Sequence, residues 1–289
     1  MTFELGIMLA LACAVTTQLG FLYKHRGAND APAVDVSCPI KTVKALFSCK
    51  WFAIGMAVAT GAWLLHVAAL LFAPLSVVQA VLSTGVVILA VMAERIFGFT
   101  VAPRQWLGVG LTAVGLVLLV VTLPASTGTH SSFSLSAMIA FEAGLLALGV
   151  LLINGSRMGV PGHHHGAMLG AAAGVLFGVS DVAIKALTGL GSEGLLGIAL
   201  SPWLLMAIVA SVVAFFASAR GMQGGDAVPV IAATSTAANV STIAGGLIVF
   251  GDPMPGDALG IVVQALAFVM VIAATLLVPP VRRLAPGRT

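Results

Sequence analysis

The 289 residues are 60% hydrophobic and 8% charged, with mean hydropathy +1.12, against roughly 25% charged residues in a soluble domain. The net charge of +3 comes from scattered cations, which excludes a nucleic-acid-binding surface. Cys13, Cys38 and Cys49 are too few and too dispersed for a disulfide framework or a zinc module. An all-α polytopic membrane protein is expected, residing in the plasma (inner) membrane with the lipid bilayer as its main partner.

About 20 apolar residues make one crossing, and nine segments meet that length: 3–23, 51–72, 74–94, 104–123, 134–155, 166–188, 200–219, 227–250 and 257–278. Lys24, Arg26, Lys41, Lys44 and Lys50 follow the first segment, Arg95 and Arg104 the third, Arg157 the fifth, Arg220 the seventh, and Arg282, Arg283 and Arg288 the ninth. Twelve of the 13 cations thus fall on one side, and the thirteenth, Lys185, lies inside the sixth segment. By the positive-inside rule this predicts nine transmembrane helices with the N-terminus out and the C-terminus in. No basic residue precedes the first apolar run, so no cleavable signal peptide is expected.

The sixth segment, GAMLGAAAGVLFGVSDVAIKALTG, places Gly166, Gly170, Gly174 and Gly178 on one side-chain-free stripe. Its opening echoes Gly6–Val15, where Gly6, Ala10 and Ala14 repeat the small stripe. Trp51 and Trp203 open the second and seventh segments. Ser83-Thr84 with Glu94 matches Ser241-Thr242 with Asp252, and Pro103, Leu107 and Gly108 match Pro255, Leu259 and Gly260. Four helices, one connector and four more make the second repeat enter upside down, the inverted repeat of secondary transporters. The expected organisation is 1–123 as the first four-helix repeat with a basic cytoplasmic loop at 24–50, 124–165 as connecting helix and loop, and 166–289 as the inverted repeat with a short basic tail.

LGFLYKHRG (19–27), Trp51, Phe72-Ala73-Pro74, Ala93-Glu94-Arg95 and LGVGLTAVGLVLLVV (107–121) resemble the drug/metabolite transporter superfamily of EamA-like permeases, and within it the NIPA-type magnesium transporters. The resemblance implies a secondary transporter. Where the magnesium branch usually has a Gly-Glu pair in the helix before Phe-Ala-Pro, this chain has Ala62-Trp63. The expectation therefore favours a small organic cargo moved by a permease, with protons as coupling ion. A magnesium transporter is the alternative, and a non-transporting scaffold a third reading.

Ionisable groups inside membrane segments are functional candidates. His66, Glu142 and Asp181 all fall in the outer half by helix rise and form a candidate proton pathway. The bland alternative for each is a side chain satisfied by a neighbouring helix. Asp181 and Lys185 are spaced i,i+4, suited to a structural pair or to a zwitterion's two charges. Gln79, Asn239 and Gln264 are candidates for lining a substrate path, with Gln18 a further one, because a primary amide is expensive in lipid and reads donors and acceptors. Ser83, Thr84, Thr234, Ser235, Thr236, Ser241 and Thr242 suit interhelical bonding. Glu94 and Asp252 are gate candidates or solvated helix ends. His163-His164-His165 is read as a cytoplasmic loop, since three consecutive histidines cannot all face one ion. No catalytic motif, cofactor or resident metal is expected; nothing in the pattern excludes a homodimer.

Overall fold

A computed structural model describes residues 2–72, 78, 81–82, 84–96, 103–122, 133–155, 161–190, 194–251 and 255–277. Gln79, Ser83 and Asp252 lie outside the described residues. Eleven helices run through the rest: α1 (Thr2–Asp30), α2 (Pro39–Ser48), α3 (Lys50–Phe72), α4 (Gly85–Arg95), α5 (Pro103–Thr122), α6 (Leu135–Ile153), α7 (Gly162–Thr188), α8 (Gly194–Leu200), α9 (Pro202–Gly224), α10 (Ala227–Val249) and α11 (Ala258–Leu277). Among the described residues five helices are long and apolar enough to cross a bilayer, within α1, α6, α7, α9 and α10. The α2–α3 pair makes a sixth if taken as one span bent by 95°. The protein is an all-helical, multi-pass membrane protein.

The stretch 24–50 is not the loop its charges suggest. α1 continues to Asp30 because His25, Gly27 and Ala28 are buried against other helices. α2 forms after it, with Pro39 in its first turn and Thr42 and Leu46 turned inward. The Thr42 hydroxyl donates to the Asp35 carbonyl at 2.8 Å and accepts from the Asp35 N–H at 3.1 Å. Ser37 donates to the Asp35 carboxylate through its hydroxyl and its N–H, which holds that carboxyl below its ordinary range. His163–His165 likewise form the first turn of α7 and not a loop.

The α7 stripe packs as its spacing implies. A Cβ on Gly166 would lie 2.6 Å from the Gly225 Cα, and one on Gly170 would lie 2.5 Å from the Val230 carbonyl. Gly174 abuts the Thr234 carbonyl, and Gly178 abuts Ser241. These pairs advance together along both chains, so α7 and α10 run parallel with almost nothing between their backbones. α9 covers another face of α7 in the opposite direction, with Gly221 beside Gly170 and the Ser180 and Ser211 hydroxyls 2.9 Å apart. α6 closes a further side, where Gly149 rests on Leu176 and Met138 joins Val182 and Ala186.

α1 and α3 repeat the device antiparallel to each other. Gly27 meets the Phe52 backbone, Gly55 the Lys24 N–H and Gly20 the Ala59 backbone, while the Cys13 thiol donates to the Ala62 carbonyl at 3.1 Å. The stripe expected at Gly6, Ala10 and Ala14 is buried, yet the tight glycine seam lies two turns further on. The C-terminal ends of α1 and α9 meet through Asn29 and Met222, so α1 runs with α9 and against α7 and α10. Lys24, Arg26, Lys50 and Arg220 accordingly gather at one end of the bundle. A central cluster joins α1, α4, α5, α10 and α11 through Leu22, Val86, Leu89, Val109, Ile231 and Ala267.

Gly174→Ala is expected to destabilise the protein by about 1–3 kcal/mol, because a methyl forced onto the Thr234 carbonyl overpacks the seam. Gly144→Ala meets nothing within 4 Å and is expected to stabilise α6 by about 0.5–1 kcal/mol through reduced backbone entropy. Thermal unfolding of the detergent-purified variants checks both signs.

Candidate functional site

A cavity of about 350 Å³ opens between the α1–α3 pair and the α7–α9 pair. Phe52, Met56, Trp63, Phe177 and Phe215 give it apolar walls; Thr60, Ser211 and Ser218 add hydroxyls, and Lys24 adds a cation. Lys24 lies 4.0 Å over the Phe21 ring. The Thr60 hydroxyl is spent on its own helix, donating to the Met56 carbonyl at 3.0 Å. None of His66, Glu142, Asp181, Lys185, Asn239 or Gln264 lines this cavity.

Next to its Lys24 end the two sides are held by a hydrogen-bonded clasp. The Gln223 amide donates to the Ala28 and Pro32 carbonyls at 2.8 and 2.9 Å, and its oxygen accepts from the Val34 N–H at 2.9 Å. Asn29 donates to the Met222 carbonyl at 3.2 Å, and the His25 Nε2 donates to the Gly225 carbonyl at 3.1 Å. Gln223 thus closes three backbone groups with one side chain. The adjoining α1–α3 corner is braced by Tyr23 stacked on Trp51, with Arg26 4.2 Å over the Trp51 ring.

The expected pathway residues are dispersed. Glu142 is buried at 2% exposure in the α6–α7 interface, one turn from Met138, and neither of its oxygens has a partner among the described residues. It is therefore not hydrogen-bonded to His66 or Asp181. A bare buried carboxylate costs several kcal/mol. His66 is half-buried on α3 with Nδ1 unpartnered. Asp181 is exposed on α7 and accepts from the Thr242 hydroxyl at 3.1 Å, whereas the Lys185 ammonium lies 4.2 Å over the Phe250 ring. Each member of that i,i+4 couple thus has a partner outside it. Asn239 is half-buried on α10, and Glu94 is exposed at the end of α4. The Thr234 hydroxyl bonds its own helix at the Val230 carbonyl, 2.9 Å away.

Besides the His165 Nδ1 near the start of α7, three more side chains carry buried polar atoms without partners among the described residues: the Gln18 Oε1, the Thr236 Oγ and both amide atoms of Gln264. The latter three are buried at residue level as well. They lie on α1, α10 and α11, on faces that turn into the central cluster. Among the described residues no group of three or more His, Cys, Asp and Glu converges in a way that could hold a metal ion.

Sequence reasoning missed Lys24 as a cavity residue and His25, Asn29 and Gln223 as a clasp. Lys24 read as a positive-inside marker and His25 only as part of the LGFLYKHRG stretch, since charge alone does not tell a loop from a helix end buried under neighbours. The available signal was the Gly20, Gly27 and Gly55 set, which marks a close helix pair continuing beyond residue 23.

The chain is similar to the probable magnesium transporter NIPA9 of Arabidopsis thaliana, with 23% identity over 292 residues covering 96% of this chain and 83% of the relative. No protein-family model matches the chain, and no solved structure matches it.

Gln223→Ala is expected to lower stability by about 1–3 kcal/mol by leaving the Val34 N–H and the Ala28 and Pro32 carbonyls unpaired. Hydrogen exchange should quicken at residues 31–35 more than in α7. Glu142→Leu, which removes an unpartnered polar group from the α6–α7 interface, is expected to raise thermal stability by a similar amount; a drop would show that Glu142 has a bound partner in the native protein.

Proposed function

We propose that the protein is a secondary transporter carrying a hard divalent cation, magnesium first, through a nine-helix bundle of two inverted four-helix halves joined by α6. The observation that carries this reading is the likeness to the probable magnesium transporter across 96% of the chain. The antiparallel course of α1 and α7, the first helices of the two halves, supports the inversion. The alternation of 12 of the 13 Lys and Arg residues between segments supports a cytoplasmic placement of the basic end.

Magnesium requires oxygen donors and gives up its water reluctantly. Glu142, Gln18, Thr236 and Gln264 carry buried oxygens with no donor bonded to them, the complement of what a cation or its water shell offers. This supply stands in place of the Gly-Glu pair absent at Ala62-Trp63. Residence in the plasma membrane and the N-terminus-out orientation belong to the same proposal.

A small organic cargo is the second reading, favoured by the 350 Å³ cavity with its aromatic wall, hydroxyls and Lys24. An ammonium at that position suits a carboxylate or a neutral metabolite better than a metal ion. Proton coupling through His66, Glu142 or Asp181 belongs to this reading.

The test is reconstitution into liposomes holding a magnesium-sensitive dye, with external magnesium, a pH jump, and a panel of amino acids and organic acids applied in turn. Saturable magnesium entry at least tenfold above empty liposomes is expected. Counterflow of an organic solute without magnesium entry would overturn the first reading for the second. Silence from protein that elutes as a folded species would favour the scaffold.

A further inference from the structure

We propose that Gln18, Thr236 and Gln264 form one layer between the halves that holds a divalent cation through the ion's own water. The inference rests on the transport reading and names the site at which the cargo is held.

The three residues are each 3% exposed. Thr236 lies one turn from Ala232 and one turn from Val240, both of which pack in the central cluster, so its hydroxyl faces that cluster. Gln18 stands one turn before Leu22, and Gln264 three residues before Ala267, on the same cluster faces of α1 and α11. Gly85 of α4 leaves room for Gln18: a Cβ there would come 2.7 Å from the Gln18 amide nitrogen. Gln18 and Thr236 also stand at a similar depth: from the clasp they are about 10–15 Å in along α1 and about 15 Å in along α10. Two of the helices belong to the first half and two to the second, so the layer lies where the halves meet.

The chemistry selects the ligand. Each member offers an unpartnered neutral oxygen, and no carboxylate is among them. Three neutral oxygens cannot replace the six first-sphere waters of magnesium, which demands near-octahedral coordination at about 2.0–2.1 Å. The hydrogens of those waters are strong donors, and the three oxygens accept them at little cost. An anionic cargo would satisfy only the Gln264 Nε2 and the Thr236 hydroxyl proton and leave the two amide oxygens unfilled. Outer-sphere holding also suits transport, because an ion bound through water is released without breaking metal–protein bonds.

Hexaamminecobalt(III) provides the probe, since its ammine hydrogens imitate the water shell and its ligands do not exchange. Thermal stabilisation of the detergent-purified protein by hexaamminecobalt(III) and by magnesium is measured first, then competition by hexaamminecobalt(III) for magnesium entry into liposomes. Gln18→Leu, Thr236→Val and Gln264→Leu are compared with the conservative Thr236→Ser, and each variant is checked by size-exclusion chromatography. Stabilisation by both ions in the wild type is expected, reduced at least tenfold in apparent affinity in the Leu and Val variants and kept in Thr236→Ser. Gln264→Glu should bind magnesium more tightly and release it more slowly. Absence of cobalt stabilisation in folded wild type overturns the layer whether or not magnesium is transported. Folded Leu variants that retain wild-type affinity overturn it too. Absence of magnesium entry together with intact cobalt binding counts against the transport reading alone.

Discussion

The fold depends on backbone-to-backbone contact along α7. In lipid no hydrophobic driving force separates one apolar surface from another, and helices associate through close van der Waals packing and interhelical hydrogen bonds. Gly170, Gly174 and Gly178 bring α10 so close that a methyl group on any of them would strike it, and one on Gly166 would strike the Gly224-Gly225 turn that leads into α10. With α9 on a second face and α6 on a third, α7 becomes the axis of one half. Gly20, Gly27 and Gly55 do the same for α1 and α3. These seams set where the remaining polar groups stand, because the helices have no freedom to rotate around them.

The α1–α3 pair and the group around α7 touch in a different manner. Between them lie side chains: the mixed cluster around Leu22 and Ile231, the cavity beside Lys24, and the clasp of Asn29, His25 and Gln223. Two tightly sealed bodies thus meet across an interface of exchangeable contacts. Relative motion belongs at such an interface. Among the described residues, the unpartnered amides and hydroxyl around the central cluster, Glu142, His66 and His165 depart from full polar satisfaction. Departures of that kind cluster at functional sites.

The glycine spacing of α7 was legible because a period of four on a helix has one geometric meaning, and the helices followed from apolar length. The course of 24–50 was not legible. Its lysines signalled a loop, while the burial of His25 and the inward turn of Thr42 and Leu46 depend on partners some 200 residues away or across a sharp bend. Candidate residues were half visible: Gln264 and Glu142 stand out as polar groups in apolar runs, and both are buried and unpartnered. Asp181 and Lys185 show the limit of i,i+4 reasoning. Their spacing permits a pair, and it does not foretell the contacts that Thr242 and Phe250 bring from α10 and its end to the same two side chains. Which polar groups converge is a tertiary property, and no periodicity within one helix encodes it.

The length of α1 carries a mechanical consequence. Its 29 residues span about 44 Å, well beyond the roughly 30 Å of a hydrocarbon core. Its apolar run, 3–23, matches that core, so the polar end Lys24–Asp30 projects beyond it. Here that projecting end is tied to the end of α9 by Gln223 and Asn29, so tilt of α1 cannot change without loading those bonds or carrying α9 along with it.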